Sequence, residues 1–286
     1  MDAKSFDPEQ YKAGQQQQWD SVAAGWSKWW PTIEGFSQQV SDRIMDLAGI
    51  GEGQTILDVA TGIGEPAVTA ARRVGPAGKV IATDHSEGML QIARDRAADA
   101  GLANLEFRGV DGGSLNFEEA AFDAVTCRWG LMFMPDLEAA MKAIHQSLKP
   151  GGWFVTAVWG PPEKATGISI AFGVAQKVLD LPPPPPDAPN MFKLSPPGTL
   201  EAVFADAGFS DVAQETGIVE FDFESVAEYI SFMQDIAAPI RLMLADKPPE
   251  KAQEVWTTLA AALQKYVGVD GRLRMSTENI IVSGRK

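Results

Sequence analysis

The sequence predicts an α/β fold built around a mostly parallel sheet, and two observations carry that expectation. Over residues 55–159, short apolar runs alternate with segments of helical spacing, the pattern of consecutive strand–helix units. Within that stretch, residues 55–67 (TILDVATGIGEPA) run from an apolar segment through Asp58 into a Gly62-x-Gly64 turn, then to Pro66 and an alanine-rich segment. This reads as a buried strand, a tight turn and a helix start. Glycine lacks a Cβ, so it tolerates positive φ and lets a ligand approach the backbone. A helix start presents unpaired N–H groups and a partial positive charge. Such a turn suits a nucleotide-like or carboxylate-bearing ligand.

Ahead of the turn, aromatic residues crowd the first forty positions: Tyr11, Trp19, Trp26, Trp29, Trp30 and Phe36. Trp19, Trp26 and Trp30 stand seven and four apart, which puts them on one helix face. That face either packs onto the core or forms a lid over a ligand. Residues 39–50 give a second amphipathic helix leading to Gly51-Glu52-Gly53. After the glycine turn, Lys79–Asp84 reads as a second buried strand ending in an acid, and Ser86 as the N-cap of a helix over 86–100. A third strand at 105–110 is followed by Asp111, and a fourth spans Phe122–Arg128. Helical spacing over 137–148 stops at Lys149-Pro150-Gly151-Gly152, before a fifth strand at 153–159.

The chain then changes character. Residues 160–162 open an insertion, 167–181 have helical spacing, and Pro182 to Pro186 form a stiff connector. A helix is expected over 195–207, with Ser195 as N-cap and Gly208 as stop. A sixth strand at 211–223 follows, then helices over 223–244 and 250–267 separated by Lys247-Pro248-Pro249, and a closing strand at 274–282.

The acids at the strand ends suggest the chemistry. Asp58 precedes the glycines, where a carboxylate faces a cationic or hydroxyl-bearing group. Asp84 is placed to accept both hydroxyls of a ribose, which serves NAD and any adenosine ligand alike. Asp111 can accept from an adenine amino group, and is equally turn chemistry before Gly112-Gly113. The spacing Gly62-x-Gly64-x-x-Ala67 also fits a dinucleotide fingerprint. Glu65, however, adds negative charge unsuited to a pyrophosphate, and about fifty residues precede the strand.

Five segments taken together are more specific: LDVATGIGEPA, IATDHSEGMLQIAR, RGVDGGSLNF, FDAVTCRWGLMFMPD and LKPGGWFVTAVW. In their order and spacing, over roughly 19–159, they resemble the class I S-adenosylmethionine-dependent methyltransferases, in the small-molecule branch near the ubiquinone and menaquinone biosynthesis enzymes. The resemblance implies a Rossmann-like seven-stranded sheet, mostly parallel with the last strand antiparallel, helices on both faces, and helical cap insertions at about 160–195 and 222–270. It divides one structural domain into an N-terminal helical lid (1–50), a cofactor-binding core (51–159) and the remainder of the sheet with its cap (160–286). It implies S-adenosyl-L-methionine as cofactor and S-adenosyl-L-homocysteine as product.

On the same resemblance, Asp58 faces the amino-acid end of the cofactor, and Ala60, Thr61, Gly62 and Gly64 offer backbone contacts. Asp84 takes the ribose hydroxyls, His85 and Met89 flank the adenosine, and Asp111 and Gly112 sit at the adenine edge. Arg128 and Trp129 lie near the methionine moiety or the acceptor. Trp26, Trp30, Trp129 and Phe133 are acceptor-side candidates, and an aromatic ring against the sulfonium would gain cation–π attraction. His85 and Arg128 are the only candidates for a catalytic group. The family's motif often carries a third glycine where this chain has Glu65.

Composition bounds the alternatives. With 24 basic and 38 acidic residues the formal charge is −14, which disfavours a nucleic-acid backbone or an anionic lipid surface as partner. The single cysteine, Cys127, permits no internal disulfide, and two scattered histidines give no zinc constellation. The N-terminus is acidic and polar, unlike a secretory signal, and no apolar run approaches the ~20 residues of a membrane span. The expectation is a cytoplasmic protein without a metal, acting on a small-molecule acceptor. The Trp-rich start and Met132-Phe133-Met134 favour an apolar or aromatic one. Oligomeric state is open. A nicotinamide-dependent oxidoreductase and a non-catalytic cofactor-binding module are the alternatives.

Overall fold

A computed structural model of the chain describes residues 8–110, 117, 119–182, 185 and 188–286, with side chains from Tyr11 onward. Seven strands form one sheet: β1 (Thr55–Val59), β2 (Lys79–Asp84), β3 (Leu105–Gly109), β4 (Phe122–Arg128), β5 (Leu148–Trp159), β6 (Ser210–Phe223) and β7 (Leu273–Arg285). Their order is β3-β2-β1-β4-β5-β7-β6. The first five strands pair in parallel and the last strand is antiparallel, as the resemblance implies; β7 lies between β5 and β6. The order reverses between β1 and β4, and ligands of open α/β sheets bind outside the strand carboxyl ends at such a point.

The strand sequences explain this placement. Ile56 to Val59 in β1 are all buried, as are six of the seven residues of β4, so both faces of the central strands are covered. Ten helices among the described residues supply the cover: α1 (Pro8–Lys28), α2 (Trp30–Leu47), α3 (Ala67–Val74), α4 (Glu87–Asp99), α5 (Leu137–Ser147), α6 (Thr166–Val178), α7 (Thr199–Asp206), α8 (Val226–Ile236), α9 (Ala238–Leu244) and α10 (Pro249–Leu263). α2 buries Ile33, Phe36, Val40, Ile44 and Met45. Phe36 stacks on Phe221 of β6 at 4.3 Å between ring centroids, and Phe154 of β5 stacks on Phe204 of α7 at 5.0 Å. Offset aromatic pairs of this kind add about 0.5–1.5 kcal/mol to the area they bury.

Several boundaries depart from the sequence expectations, and proline accounts for most of them. Trp30 does not continue the helix of Trp19 and Trp26. The chain breaks at Trp29, and Pro31 sits in the first turn of α2, where its missing N–H is harmless. Ser195 is not an N-cap: Pro196 and Pro197 delay the helix to Thr199, Gly198 caps it at φ +80°, and the Ser195 hydroxyl donates to the Phe192 carbonyl. The helix expected over 223–244 begins at Val226, with Ser225 accepting from Glu228 N–H, and Pro239 divides it into α8 and α9. Lys149-Pro150-Gly151-Gly152 ends α5 as expected, but it belongs to an irregular start of β5. The pairing of β4 with β5 shifts register there, between Phe122 and Ala124. Pro183, Pro184 and Pro186 of the proline run lie outside the described residues.

Candidate ligand-binding site

A cavity of about 550 Å³ opens at the carboxyl ends of β1, β2 and β4, beneath α1. Its floor is the glycine turn after β1. Ala60, Gly62 and Gly64 all adopt positive φ, at +57°, +56° and +103°. Thr61 N–H donates to the Thr83 carbonyl of the neighbouring strand, and the Thr61 carbonyl accepts from Gly64 and Glu65 N–H. The turn is therefore pinned to the tip of β2 and curls back on itself.

Asp84 organises the centre. One carboxylate oxygen accepts from Gly62 N–H at 2.8 Å and the other from Ser86 N–H at 2.9 Å, so one side chain joins the glycine turn to the start of α4. Ser86 caps that helix by accepting from Met89 N–H. Asp84 is buried, and desolvation raises its pKa. The nearby imidazole of His85, whose Nδ1 lies 3.8 Å away, and the backbone donors from Ser86 and Gly62 oppose that rise.

One side of the cavity is aromatic. Trp19 stands edge-on to Trp26 (centroids 6.1 Å apart) and to Phe133 (5.7 Å). The indole N–H of Trp26 donates to the Ile236 carbonyl and that of Trp19 to Gln15, which fixes both rings. Trp129, at φ +58°, stacks on Trp159 at 4.1 Å. A left-handed backbone at a bulky residue is uncommon and concentrates at functional sites. The next residue is glycine for a packing reason: a Cβ on Gly130 would stand 2.4 Å from the Ala60 Cβ.

The structure thus brings Ala60, Thr61, Gly62, Asp84, His85, Met89, Arg128, Trp129, Trp26 and Phe133 to one cavity wall. It does not bring three others there. Asp58 is fully buried beneath the turn, with Thr126 donating to it at 2.7 Å. Gly64 turns toward α4, where a Cβ would meet Ala93 at 3.2 Å. Trp30 packs under the Arg96 guanidinium, 3.7 Å from its ring centre. Asp111 and Gly112 lie outside the described residues, and Gly109 and Val110 just before them line the cavity.

Sequence reasoning missed Tyr11, Gln15 and Gln16 on the wall, and did not assign Trp19 to the site. The spacing 11, 15, 19, 26 follows one helix face, but the glutamine run around it reads as solvated surface. Glu65 turns inward. It is 3% exposed, accepts from the Thr69 hydroxyl at 2.7 Å and lies 3.8 Å from Arg96. Arg128 is also buried. It donates from Nη1 to Ser41 Oγ and the Ser37 carbonyl of α2, and desolvation lowers its pKa while the charges of Glu65 and Asp58 support its proton. Among the described residues no group of three His, Cys, Asp or Glu side chains is arranged to hold a metal ion, and no helix is long and apolar enough to cross a membrane.

Burial pushes the Asp58 carboxyl up to about 7. Thr126, Thr61 and the Arg128 charge pull it down, and the Glu65 charge adds to the rise. An unfolded aspartate titrates near ~3.9, so the folded state holds an extra proton between about pH 4 and 7. The stability Asp58 contributes is complete below about pH 4 and is lost as pH rises through about 7, to a limit on the order of 4 kcal/mol. Asp58→Asn keeps an acceptor for Thr126 and removes the titration. Urea unfolding from pH 4 to 8 is expected to show the wild type losing stability relative to this variant, whereas parallel pH profiles would refute the assignment.

This sheet order, with its antiparallel β7 and a glycine turn between two acid-tipped strands, is the fold of the S-adenosylmethionine-dependent methyltransferases. The model of the ubiE/COQ5 methyltransferase family matches residues 35–178, half of the chain, and the chain belongs to that family. It is 35% identical over 144 residues to the ubiquinone/menaquinone biosynthesis C-methyltransferase UbiE of Pseudomonas putida, a match covering 50% of this chain and 56% of that protein. To the UbiE of Ectopseudomonas oleovorans it is 37% identical over 134 residues, 46% of this chain and 79% of that one. The chain thus spans only about half the length of the Pseudomonas relative. Two solved structures share the fold. The YcgJ protein from Bacillus subtilis has a TM-score of 0.56 and 17% identity, covering 87% of this chain and 98% of that one. Haemonchus contortus phosphoethanolamine N-methyltransferase 2, solved in complex with S-adenosyl-L-methionine, has a TM-score of 0.54 and 20% identity, covering 87% and 52%.

Proposed function

We propose that the chain transfers a methyl group from S-adenosyl-L-methionine to a small-molecule acceptor. In that in-line displacement a bond forms from the acceptor nucleophile to the methyl carbon, and the carbon–sulfur bond breaks with its electrons going to sulfur. S-adenosyl-L-homocysteine leaves. The observation that carries the reading is Asp84, buried at the cavity wall with both oxygens tied to the backbone of the glycine turn and of α4. Each oxygen keeps a further lone pair for a ribose hydroxyl.

The wall has room for such a group and unmet polar capacity. His85 Nε2 and Trp129 Nε1 have no hydrogen-bond partner among the described residues. When bound, the cofactor supplies an electrophilic methyl carbon, and the protein supplies position and field. Ala60, Thr61 and Gly62 take the backbone contacts, and His85 and Met89 flank the adenosine. Arg128 and Trp129 face the methionine moiety or the acceptor, and the rings of Trp26 and Phe133 favour an apolar or aromatic acceptor. The role given from sequence to Asp58 passes to the field beneath the turn, since its carboxyl does not reach the wall. His85 is the only imidazole on the wall and the one candidate to take a proton from an acceptor that must lose one. α1 acts as the lid, and the helices α6 and α8 to α10 as the cap. A lone buried cysteine and the acidic charge fit a cytoplasmic enzyme with no nucleic-acid partner.

Isothermal titration tests the reading. Wild-type protein is expected to bind S-adenosyl-L-homocysteine and to give no heat with NADH. The reverse result would assign the site to a nicotinamide cofactor.

A further inference from the structure

We propose that Asp20 is a positioning residue that couples docking of α1 to ligand binding at the tip of β2. The inference rests on the adenosyl-binding reading above. Asp20 does not line the cavity; it acts through the residues that do.

The hydrogen bonds form one unbroken relay. The Ser86 hydroxyl accepts from Met89 N–H, which leaves its own proton to donate, and it donates to Asp20 Oδ1 at 2.5 Å. The same oxygen accepts from Gly88 N–H at 3.1 Å. Ser86 N–H donates to Asp84, and Asp84 accepts from Gly62 N–H. A carboxylate on the lid helix is thus linked through two side chains to the floor of the cavity.

Two further features mark this contact as built. Asp20 brings its negative charge to the N-terminus of α4, where unpaired N–H groups and the helix dipole favour an anion. Gly88 is the residue that lets the helices meet: a Cβ there would lie 3.2 Å from Asp20 Oδ1 and 3.4 Å from the Ala23 Cβ. The same helix carries Gln15 and Trp19 to the cavity wall. A ligand that draws on Asp84 or Gly62 therefore also bears on the position of α1, and by linkage a docked α1 tightens the ligand by the same factor.

The experiment combines affinity with exchange. S-adenosyl-L-homocysteine binding is measured by titration and stopped flow, and amide hydrogen exchange over residues 8–28 is followed with and without that ligand. In the wild type the ligand is expected to slow exchange in α1. Asp20→Ala is expected to bind about tenfold more weakly, chiefly through faster dissociation, and to lose the ligand-induced protection. Asp20→Asn keeps the acceptor oxygen and should recover most of both. Gly88→Ala, whose methyl would press on Asp20 Oδ1 and the Ala23 Cβ while leaving the Asp20 carboxylate itself in place, should move both readouts in the direction of Asp20→Ala. If Asp20→Ala melts at a lower temperature but keeps wild-type affinity and ligand-induced protection, Asp20 is merely structural and the proposal fails. Wild-type protein that binds no S-adenosyl-L-homocysteine refutes the methyltransferase reading itself, and that outcome is read before any variant is made.

Discussion

Asp84→Ala is expected to weaken S-adenosyl-L-homocysteine binding by two to four orders of magnitude while leaving the protein folded. The wild-type carboxylate holds Gly62 N–H and Ser86 N–H, and in the proposed complex its remaining lone pairs take two ribose hydroxyls. A hydrogen bond to a charged group contributes about 1.5–3 kcal/mol, so losing two amounts to roughly 3–6 kcal/mol, or about 10²–10⁴ in the dissociation constant. The cost to folding is smaller. Burial raises the Asp84 pKa, so the native state already works against the charge that the variant removes, and this offsets part of the loss of its two backbone partners. Titration calorimetry alongside thermal unfolding separates the two effects. Affinity within a few-fold of wild type, in a folded variant, would show that Asp84 serves the turn alone.

The second large effect is expected at Gly25, where α1 meets α8. A Cβ there would lie 2.2 Å from the backbone carbonyl oxygen of Asp235, an overlap that no side-chain rotation relieves. Gly25→Val must push α1 away from α8. That movement breaks the donation of Trp29 Nε1 and Lys28 Nζ to Asp235, both at 2.7 Å, and of Trp26 Nε1 to the Ile236 carbonyl. Overpacking costs about 1–3 kcal/mol, and here it falls on the contact that seats the cavity roof. The variant is expected to lose S-adenosyl-L-homocysteine affinity by tenfold or more, to red-shift its tryptophan emission and to become sensitive to protease within α1. Wild-type affinity together with an intact, protease-resistant α1 would contradict the view of α1 as a lid.

The central sheet was legible because its signals are local. An apolar run closed by an acid and a glycine turn can hardly be anything but a strand end, and the strands at 79–84 and 122–128 match to the residue. The site was legible where a residue's place follows from the backbone alone: Gly62, Asp84 and His85 follow strand ends and reach the cavity with them. Residues whose role depends on a distant partner were not. Asp58 looked like the ligand-facing acid, yet strand alternation turns it into the core beside Thr126. Trp30 looked like a lid residue until Pro31 placed it on another helix, against Arg96. Nothing in the sequence marks Asp20, because no local signal shows that Ser86, sixty-six positions away, comes to meet it.

The most direct test of the account is a crystal structure of the protein with S-adenosyl-L-homocysteine. The prediction is that the Asp84 carboxylate bonds both ribose hydroxyls while the homocysteine lies against the Gly62 turn beneath α1. A ligand bound elsewhere, or one whose ribose leaves Asp84 untouched, would contradict it.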